Sequence, residues 1–325
     1  MPTMQTAHVD RALTNISVSY LQDASAFIAD KVFPIVPVKR QSDIFYVYSK
    51  ADFMRDEAQV RGAASESAGG DYGVEATDPY YCRKHAFHKD VTPEERVNYD
   101  EPLDADKDAT DFVTQKMLIR RELQWASTYF KSGVWGTDIT GVDSSPSTNQ
   151  AIKWNLPTSD PIRDITEASV KMASETGYKP NTLVLSPYAF NALKNHEDIL
   201  DRIKYTQKGI VTVDLLATLF EVENVYVAWS VVNSAAKGAD ANVDFIMGKH
   251  ALLCYSNPRP ALRKPSAGYI FAWTGLEGAG AYGNRIVRLP MDLLGLGVER
   301  IEGEIAFDAK KICGDLGVFF TGIVD

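Results

Sequence analysis

Cysteine is scarce in this chain: Cys82, Cys254 and Cys313 are odd in number and far apart, so they supply neither a disulfide framework nor a Cys-x-x-Cys metal knuckle. A reducing compartment is expected. No run of about 18 apolar residues occurs that would span a bilayer, and Met1-Pro2-Thr3-Met4-Gln5-Thr6 has no basic, then apolar, leader. The expectation is a soluble protein made in the cytoplasm, with no membrane partner. Dense Lys/Arg clusters are also missing, and the formal net charge is -9. That balance disfavours gripping nucleic acid, because neutralising phosphates requires a basic face. There is no Gly-Lys-Ser/Thr phosphate loop and no Gly-x-Ser-x-Gly elbow. Neither an enzyme nor a cofactor is expected.

What is present is ordinary globular material. Hydrophobic residues make up 45% and charged residues 24% of 325 residues, enough for about two packed units at roughly 150 residues each. The least ordinary stretch runs from 44 to 91. Ile44-Phe45-Tyr46-Val47-Tyr48 and the return segment from Tyr80-Tyr81-Cys82 to Ala86-Phe87-His88 are aromatic and β-branched, and between them lies Gly62-Ala63-Ala64-Ser65-Glu66-Ser67-Ala68-Gly69-Gly70, which cannot build a core. Together they read as a long hairpin. A lone two-stranded hairpin is marginal in water, so it must lie on another surface, and a neighbouring copy of the chain is the natural one.

Before it, Phe33-Pro34-Ile35-Val36-Pro37-Val38 carries two prolines that forbid helix and central-strand pairing, so the segment is an extended arm lying either on its own domain or on a neighbour. After it, an acidic approach from Asp100-Glu101 to Asp108 precedes a helical pattern from Phe112 to Lys131. Its apolar face is read as Phe112, Ile119, Leu123, Ala126 and Phe130, with Glu122 elsewhere. Ser132 to Asn149 is read as a loop with aromatic anchors. Asp160-Pro161 and Ser186-Pro187 each pair a capping residue with a proline suited to the first helical position. Thr182-Leu183-Val184-Leu185 is apolar without alternation, as suits a strand covered on both faces. From Tyr269 onward the pattern turns β-rich.

Two clusters carry the chemistry that merits weighing. Cys82, His85, His88 and Asp90 offer one soft and three harder ligands within nine residues, which would support a metal-dependent hydrolase, but strand alternation sends His85 to the opposite face from Cys82 and His88. Asp104, Asp106, Asp108 and Asp111 lack the Gly and terminal Glu of a calcium loop and read instead as a helix N-terminal charge bias. Asn195-His196-Glu197-Asp198 reads as a polar loop between helices. No catalytic, cofactor-binding or metal-ligating residue is assigned. Candidates for contact with a neighbouring copy are Phe33 on the arm and Arg55, Asp56, Glu57, Arg61, Asp71 and Tyr72 on the hairpin, whose charges are placed to pair across an overlap and fix its register.

Seven stretches, in this order, carry a family likeness: Asp30-Lys31-Val32-Phe33-Pro34, Asp52-Phe53-Met54-Arg55-Asp56-Glu57-Ala58, Glu66-Ser67-Ala68-Gly69-Gly70, Trp135-Gly136-Thr137-Asp138, Asp201-Arg202-Ile203-Lys204-Tyr205-Thr206, Ser266-Ala267-Gly268-Tyr269 and Arg300-Ile301-Glu302-Gly303-Glu304. With them the chain resembles the major capsid proteins of tailed bacteriophages, which share the Hong Kong 97-like capsid fold with encapsulin shells. The resemblance implies an α+β protein with an N-terminal arm (1–43), an extended loop (44–91), a peripheral domain (92–177) with a spine helix near 108–132, an axial α/β domain (178–265) and a return to the peripheral domain (266–325). It further implies a homo-oligomer of hexamers and pentamers in an icosahedral virion capsid, enclosing double-stranded DNA without sequence-specific binding and assembled in the host cytoplasm. Separate scaffolding and portal proteins are implied partners. An encapsulin-like compartment shell is the alternative. Some relatives join subunits by a Lys-Asn isopeptide bond; Lys50, Lys84 and Lys89 have no identifiable partner Asn, so non-covalent locking is expected.

Overall fold

The computed structural model describes residues 21–76, 79–99, 104–203, 211–260, 264–276, 278–291 and 293–325. The first half of the expected arm, Asp100-Glu101 of the acidic approach, and Lys204-Tyr205-Thr206 lie outside the described residues. Among those described, no helix is long and apolar enough to cross a membrane.

Two large sheets, beside three two-stranded ones, organise the described residues. At one end of the first, Ile35–Val38 runs parallel to Gly268–Trp273, with Ile35 opposite Ile270. That strand is antiparallel to the 13-residue strand Glu299–Lys311, which also pairs with Asn284–Pro290 and, along its other edge, with Arg83–Val91. Pro37 has no N–H to give a ladder, and its strand sits at the sheet's edge, where none is needed. The second sheet has the order Asn224–Val227, Thr182–Leu185, Ala251–Cys254, Gly317–Thr321, Thr137–Val142, Gln150–Ile152.

The second sheet is covered on both faces, which explains its unbroken apolar strands. Leu183, Leu185, Leu253 and Phe320 face a core completed by Ile162, Ile165 and Met172 of the helix Pro161–Thr176. The alternate residues Val184, Leu252, Cys254 and Phe319 face a second core with Phe33, Trp125, Trp135 and Phe307. This second core joins the two sheets. Local signals place the connecting helices: Asp160 accepts from Arg163 N, Gly177 ends that helix in the left-handed region at φ +73°, and Ser186 caps Pro187–Lys194.

The long helix runs Ala105–Tyr129, capped by Asp104 through Asp106 N and Lys107 N. Asp106 is further held by Arg96 and Arg288, so the acidic run is a cap and ion-pair network. The face the apolar spacing picks out is buried only in part: Ala126 and Phe130 are in the core, but most of the inward residues lie elsewhere on the helix. Ala105, Ala109, Val113, Glu122, Trp125, Ala126 and Tyr129 turn inward, while Phe112 is 41% and Leu123 36% exposed. Small residues decide this, because the sheet comes close: a Cβ on Gly303 would lie 2.3 Å from Val113 Cγ1. Gly303→Ala is therefore expected to lose about 1–3 kcal/mol through overpacking, read as a lower midpoint in chemical denaturation. An unchanged midpoint would mean that helix and sheet part without strain.

Three further expectations need correction. Arg83–Val91 does not return along Ile44–Tyr48; it leaves the hairpin for the first sheet, where nine residues of ladder await it on Glu299–Phe307. The hairpin proper is short, Tyr46–Tyr48 with Val74–Ala76 and Ser42–Asp43 with Tyr80–Tyr81. The stretch 132–149 is not all loop, since Thr137–Val142 pairs in parallel with Gly317–Thr321. Because the second sheet takes strands from 137–152 and 317–321, divisions at 177 and 266 cut across its ladders.

Candidate functional site

The hairpin's root is built and its outer part is bare. Ser49 N donates to Gly73 O at 3.0 Å and Gly73 N to Asp52 Oδ2 at 2.9 Å, closing the neck around the single turn Lys50–Phe53. Tyr48, Phe53 and Tyr72 pack ring against ring with centroids 5.4 to 5.9 Å apart. Lys50 Nζ reaches Asp315 Oδ2 at 2.5 Å and ties the neck to the body. Beyond the neck, residues 53 to 73 are exposed, among them Phe53 at 65%, Met54 at 54% and Val60 at 102%. Large apolar side chains held in water on a short, self-packed neck make this loop the candidate contact surface.

Six of the seven contact candidates lie on that surface. Arg55 bridges Asp52 and Glu57 within the loop, Arg61 Nε donates to Ser65 O, the Asp71 carboxylate accepts from Tyr72 N, and Asp56 is exposed. Phe33 is the exception and a correction. It is fully buried against Trp125, Tyr129 and Trp135 with centroids 5.1 to 6.2 Å away, so its own chain consumes the surface a neighbour would need. The prolines make the segment extended, but the aromatic pocket beneath it decides where it lies.

What holds that segment is Glu122, which the apolar spacing had placed away from the core. Fully buried, its carboxylate accepts from Ile28 N at 3.0 Å and Ala29 N at 2.9 Å, capping the short helix Ala29–Val32 from outside its own segment. Beside it Arg121 pairs with Asp30 at 2.9 Å. Burial pushes the Glu122 carboxyl up to about 7, against the pull of the Ala29 and Ile28 amides and Arg121. An adjacent Arg-Glu pair in a helical pattern was the available signal, but adjacency on a helix does not say which side faces in.

The chemical clusters come apart. Cys82 is buried with its Sγ donating to Phe271 O, and burial holds its thiol up to about 12. His85 lies against the Phe307 ring, and burial lowers its pKa. His88 is exposed opposite Glu302, and Asp90 accepts two bonds from Arg300 at 2.7 and 3.0 Å. Among the described residues no three His, Cys, Asp or Glu side chains are grouped to hold a metal ion. Calorimetric titration with Zn²⁺ at neutral pH is expected to show no stoichiometric binding; one tight equivalent, lost in Cys82→Ser, would overturn that reading.

His196, expected in a polar loop, is buried beside a cleft of about 420 Å³ walled by Trp154, Tyr188 and Asn191. With Ser159 Oγ 3.0 Å from Nε2 and Asp198 Oδ2 3.8 Å from Nδ1, it resembles a nucleophile-activating triad. The hydrogen bonds exclude that role. Nδ1 accepts from Asp198 N, which leaves the proton on Nε2, and Ser159 Oγ already donates to Leu156 O. The imidazole therefore donates to the serine and has no lone pair with which to take its proton. It pins the turn before Pro161 to the helix Glu197–Ile203.

Residues 142–259 match the family model described as "Phage major capsid protein E". Among curated proteins, the chain is 26% identical over 249 residues to the major capsid protein of Burkholderia phage BcepMu, covering 76% of each. It is 25% identical to the major capsid protein of Pseudomonas phage JBD67, covering 97% of each. A phage-related protein from Bordetella bronchiseptica superposes with TM-score 0.70 at 22% identity, over 93% of this chain and 94% of that one. The capsid protein of Cyanophage P-SCSP1u follows with TM-score 0.61, 10% identity and coverages of 94% and 90%. An SrpI encapsulin from Synechococcus elongatus gives 0.56 at 12% identity, covering 97% and 94%. The mixed α/β architecture is thus one that phage capsid proteins have.

Proposed function

We infer that the chain is a phage major capsid protein, a structural subunit that assembles with copies of itself into the shell of a virion. The observation that carries this reading is the agreement between two curated relatives with the same role and a loop whose apolar surface a single chain leaves uncovered. Such a chain gains its binding free energy by transferring that surface from water to a neighbour, at about 25 cal/mol per Å².

Finer points are proposals. The fold is of the Hong Kong 97-like kind, with residues 53–73 as the tip of the extended loop and Ala105–Tyr129 as the spine helix. The first sheet belongs to the peripheral domain. The axial domain is larger than 178–265 and includes 137–177 and 317–325. Arg55, Asp56, Glu57, Arg61, Asp71 and Tyr72 contact an adjacent subunit; hexamers and pentamers tile an icosahedral head assembled in the host cytoplasm with scaffolding and portal proteins. A formal charge of -9 fits a wall that confines DNA without adhering to it. No reaction is assigned to the chain.

Electron microscopy of the expressed protein tests the reading: closed shells, rings or capsomers are expected, and a stable monomer at every concentration would defeat it. An encapsulin-like compartment remains the second reading, supported by the shared fold. The contents of particles purified from infected cells separate the two, since packaged DNA favours a phage head and a packaged protein a compartment.

A further inference from the structure

The long helix and the strand Arg83–Val91 lie side by side, and Phe112 meets Phe87 across the seam with ring centroids 5.7 Å apart. Along it the helix presents every fourth residue and the strand every second, which sets Phe112, Lys116 and Arg120 beside Phe87, His85 and Arg83. Lys116 Nζ lies 5.1 Å over the Phe112 ring, and Arg120 and Arg83 both bear on His85, whose pKa is held down by burial first and then by their charges. Lys116, Arg120 and Arg83 are exposed, and among the described residues none of them has a carboxylate partner. Their neighbours in sequence do: Lys84 pairs with Glu304 and Arg121 with Asp30. Each adjacent pair of cations thus gives one charge to the fold and leaves the other uncompensated.

We propose that Arg83, Lys116 and Arg120 form a strip that binds the phosphate backbone of a nucleic acid without regard to its sequence. Three cations gathered on one seam repel one another, and the described residues offer no anion to relieve them, so an anionic partner is what the strip fits. The guanidinium forks of Arg83 and Arg120 match phosphate oxygens two bonds at a time. Lys116 and Arg120 stand about 6 Å apart along the helix, within two phosphate steps of about 3.4 Å on one strand. A duplex offers a charge every ~1.7 Å at any register, whereas an acidic protein segment must hold several carboxylates in a single one; that difference favours nucleic acid. No dense Lys/Arg cluster marks the strip in the sequence, because helix and strand supply it from positions 83, 116 and 120. A formal charge of -9 over the whole chain keeps other surfaces from adhering, so the contact is local and weak. The proposal deepens the shell reading and rests on it in one respect: in a shell the strip marks the face turned to packaged nucleic acid.

Fluorescence anisotropy of a labelled mixed-sequence DNA duplex, titrated with the soluble chain at several salt concentrations, tests it. The logarithm of the affinity is expected to fall with the logarithm of salt with a slope of about -3, one step for each cation. Arg83→Ala/Arg120→Ala should weaken binding at least about tenfold at low salt and bring the slope to about -1, and Lys116→Ala alone should bring it to about -2. Lys194→Ala/Lys237→Ala, which removes the same charge from exposed positions elsewhere, should leave the slope unchanged. All replaced side chains are exposed, so the thermal midpoint of every variant should match wild type. A wild-type chain that ignores the duplex at the lowest salt, or a double variant that binds as wild type does, would overturn the strip. Binding to polyglutamate but not to DNA would overturn it in favour of an acidic protein segment. None of these results needs assembly, so each leaves the shell reading standing, while a chain that binds duplex and never assembles would lose that reading and keep the strip.

Discussion

Glu122→Ala is expected to lower the thermal midpoint by roughly 4–10 °C and to open the segment before Ile35 to proteolysis. The carboxylate is the acceptor for two buried amides, Ile28 N and Ala29 N, and its own side chain is fully buried. Each amide left without a partner costs about 1–3 kcal/mol, and for a chain of this size each kcal/mol moves the midpoint by about 2–4 °C or somewhat less. Removing a buried acid recovers part of that, so the upper end of the sum is not expected. A midpoint within about 1 °C of wild type would mean that Phe33 in its aromatic pocket holds the segment alone.

The same residue gives the docking a pH dependence of definite sign. Burial raises the Glu122 carboxyl to about 7 in the folded chain, above its ordinary 4.5, so the folded state holds a proton that the unfolded state releases. The stabilisation is fully present below about 4.5 and is lost as pH rises through about 7. His85 and His250, whose pKa values burial lowers, act in the opposite sense, destabilising the fold as pH falls below 6.5. The difference between wild type and Glu122→Gln isolates the glutamate. Denaturation from pH 4.5 to 8 should show wild type losing stability relative to Glu122→Gln as pH rises, and parallel curves would refute the assignment.

Deleting residues 54–70 is expected to abolish closed particles while leaving the subunit folded. The cut is sterically mild. Asp52 and Gly73 are already in hydrogen-bond contact, so a short Gly-Ser linker spans the gap, and the ladder between Tyr46–Tyr48 and Val74–Ala76 survives. The removed residues are exposed and contribute no buried side chain, so the thermal midpoint of the isolated subunit should move by no more than a few degrees. Assembly, which depends on covering that surface, should fall below detection in sedimentation and microscopy. Normal particles from the deleted chain would show that the loop is dispensable and that the shell is held elsewhere.

Much of the fold was legible wherever neighbouring residues settle the matter. Asp160-Pro161 with Gly177, and Ser186-Pro187, marked helix ends because a cap and a proline act within one turn. Thr182–Leu185 announced a strand covered on both faces by lacking alternation. The exposed loop was legible from its Gly, Ala and Ser content. The inward face of the long helix was not, because Ala105, Ala109 and Gly303 matter by being small, and a hydrophobic count rewards Phe112 and Leu123 instead.

By itself, then, the sequence settled the helix ends marked by a cap and a proline, and the presence of a stretch with no core of its own, since each follows from composition or from contacts within a few residues. Only the tertiary structure decided that Arg83–Val91 joins Glu299–Phe307, that Phe33 belongs to its own chain, and that Glu122 caps a helix 93 residues away. Those outcomes turn on which surfaces meet after the chain has closed on itself. No local period encodes them, because their free energy exists only once both partners have left water together.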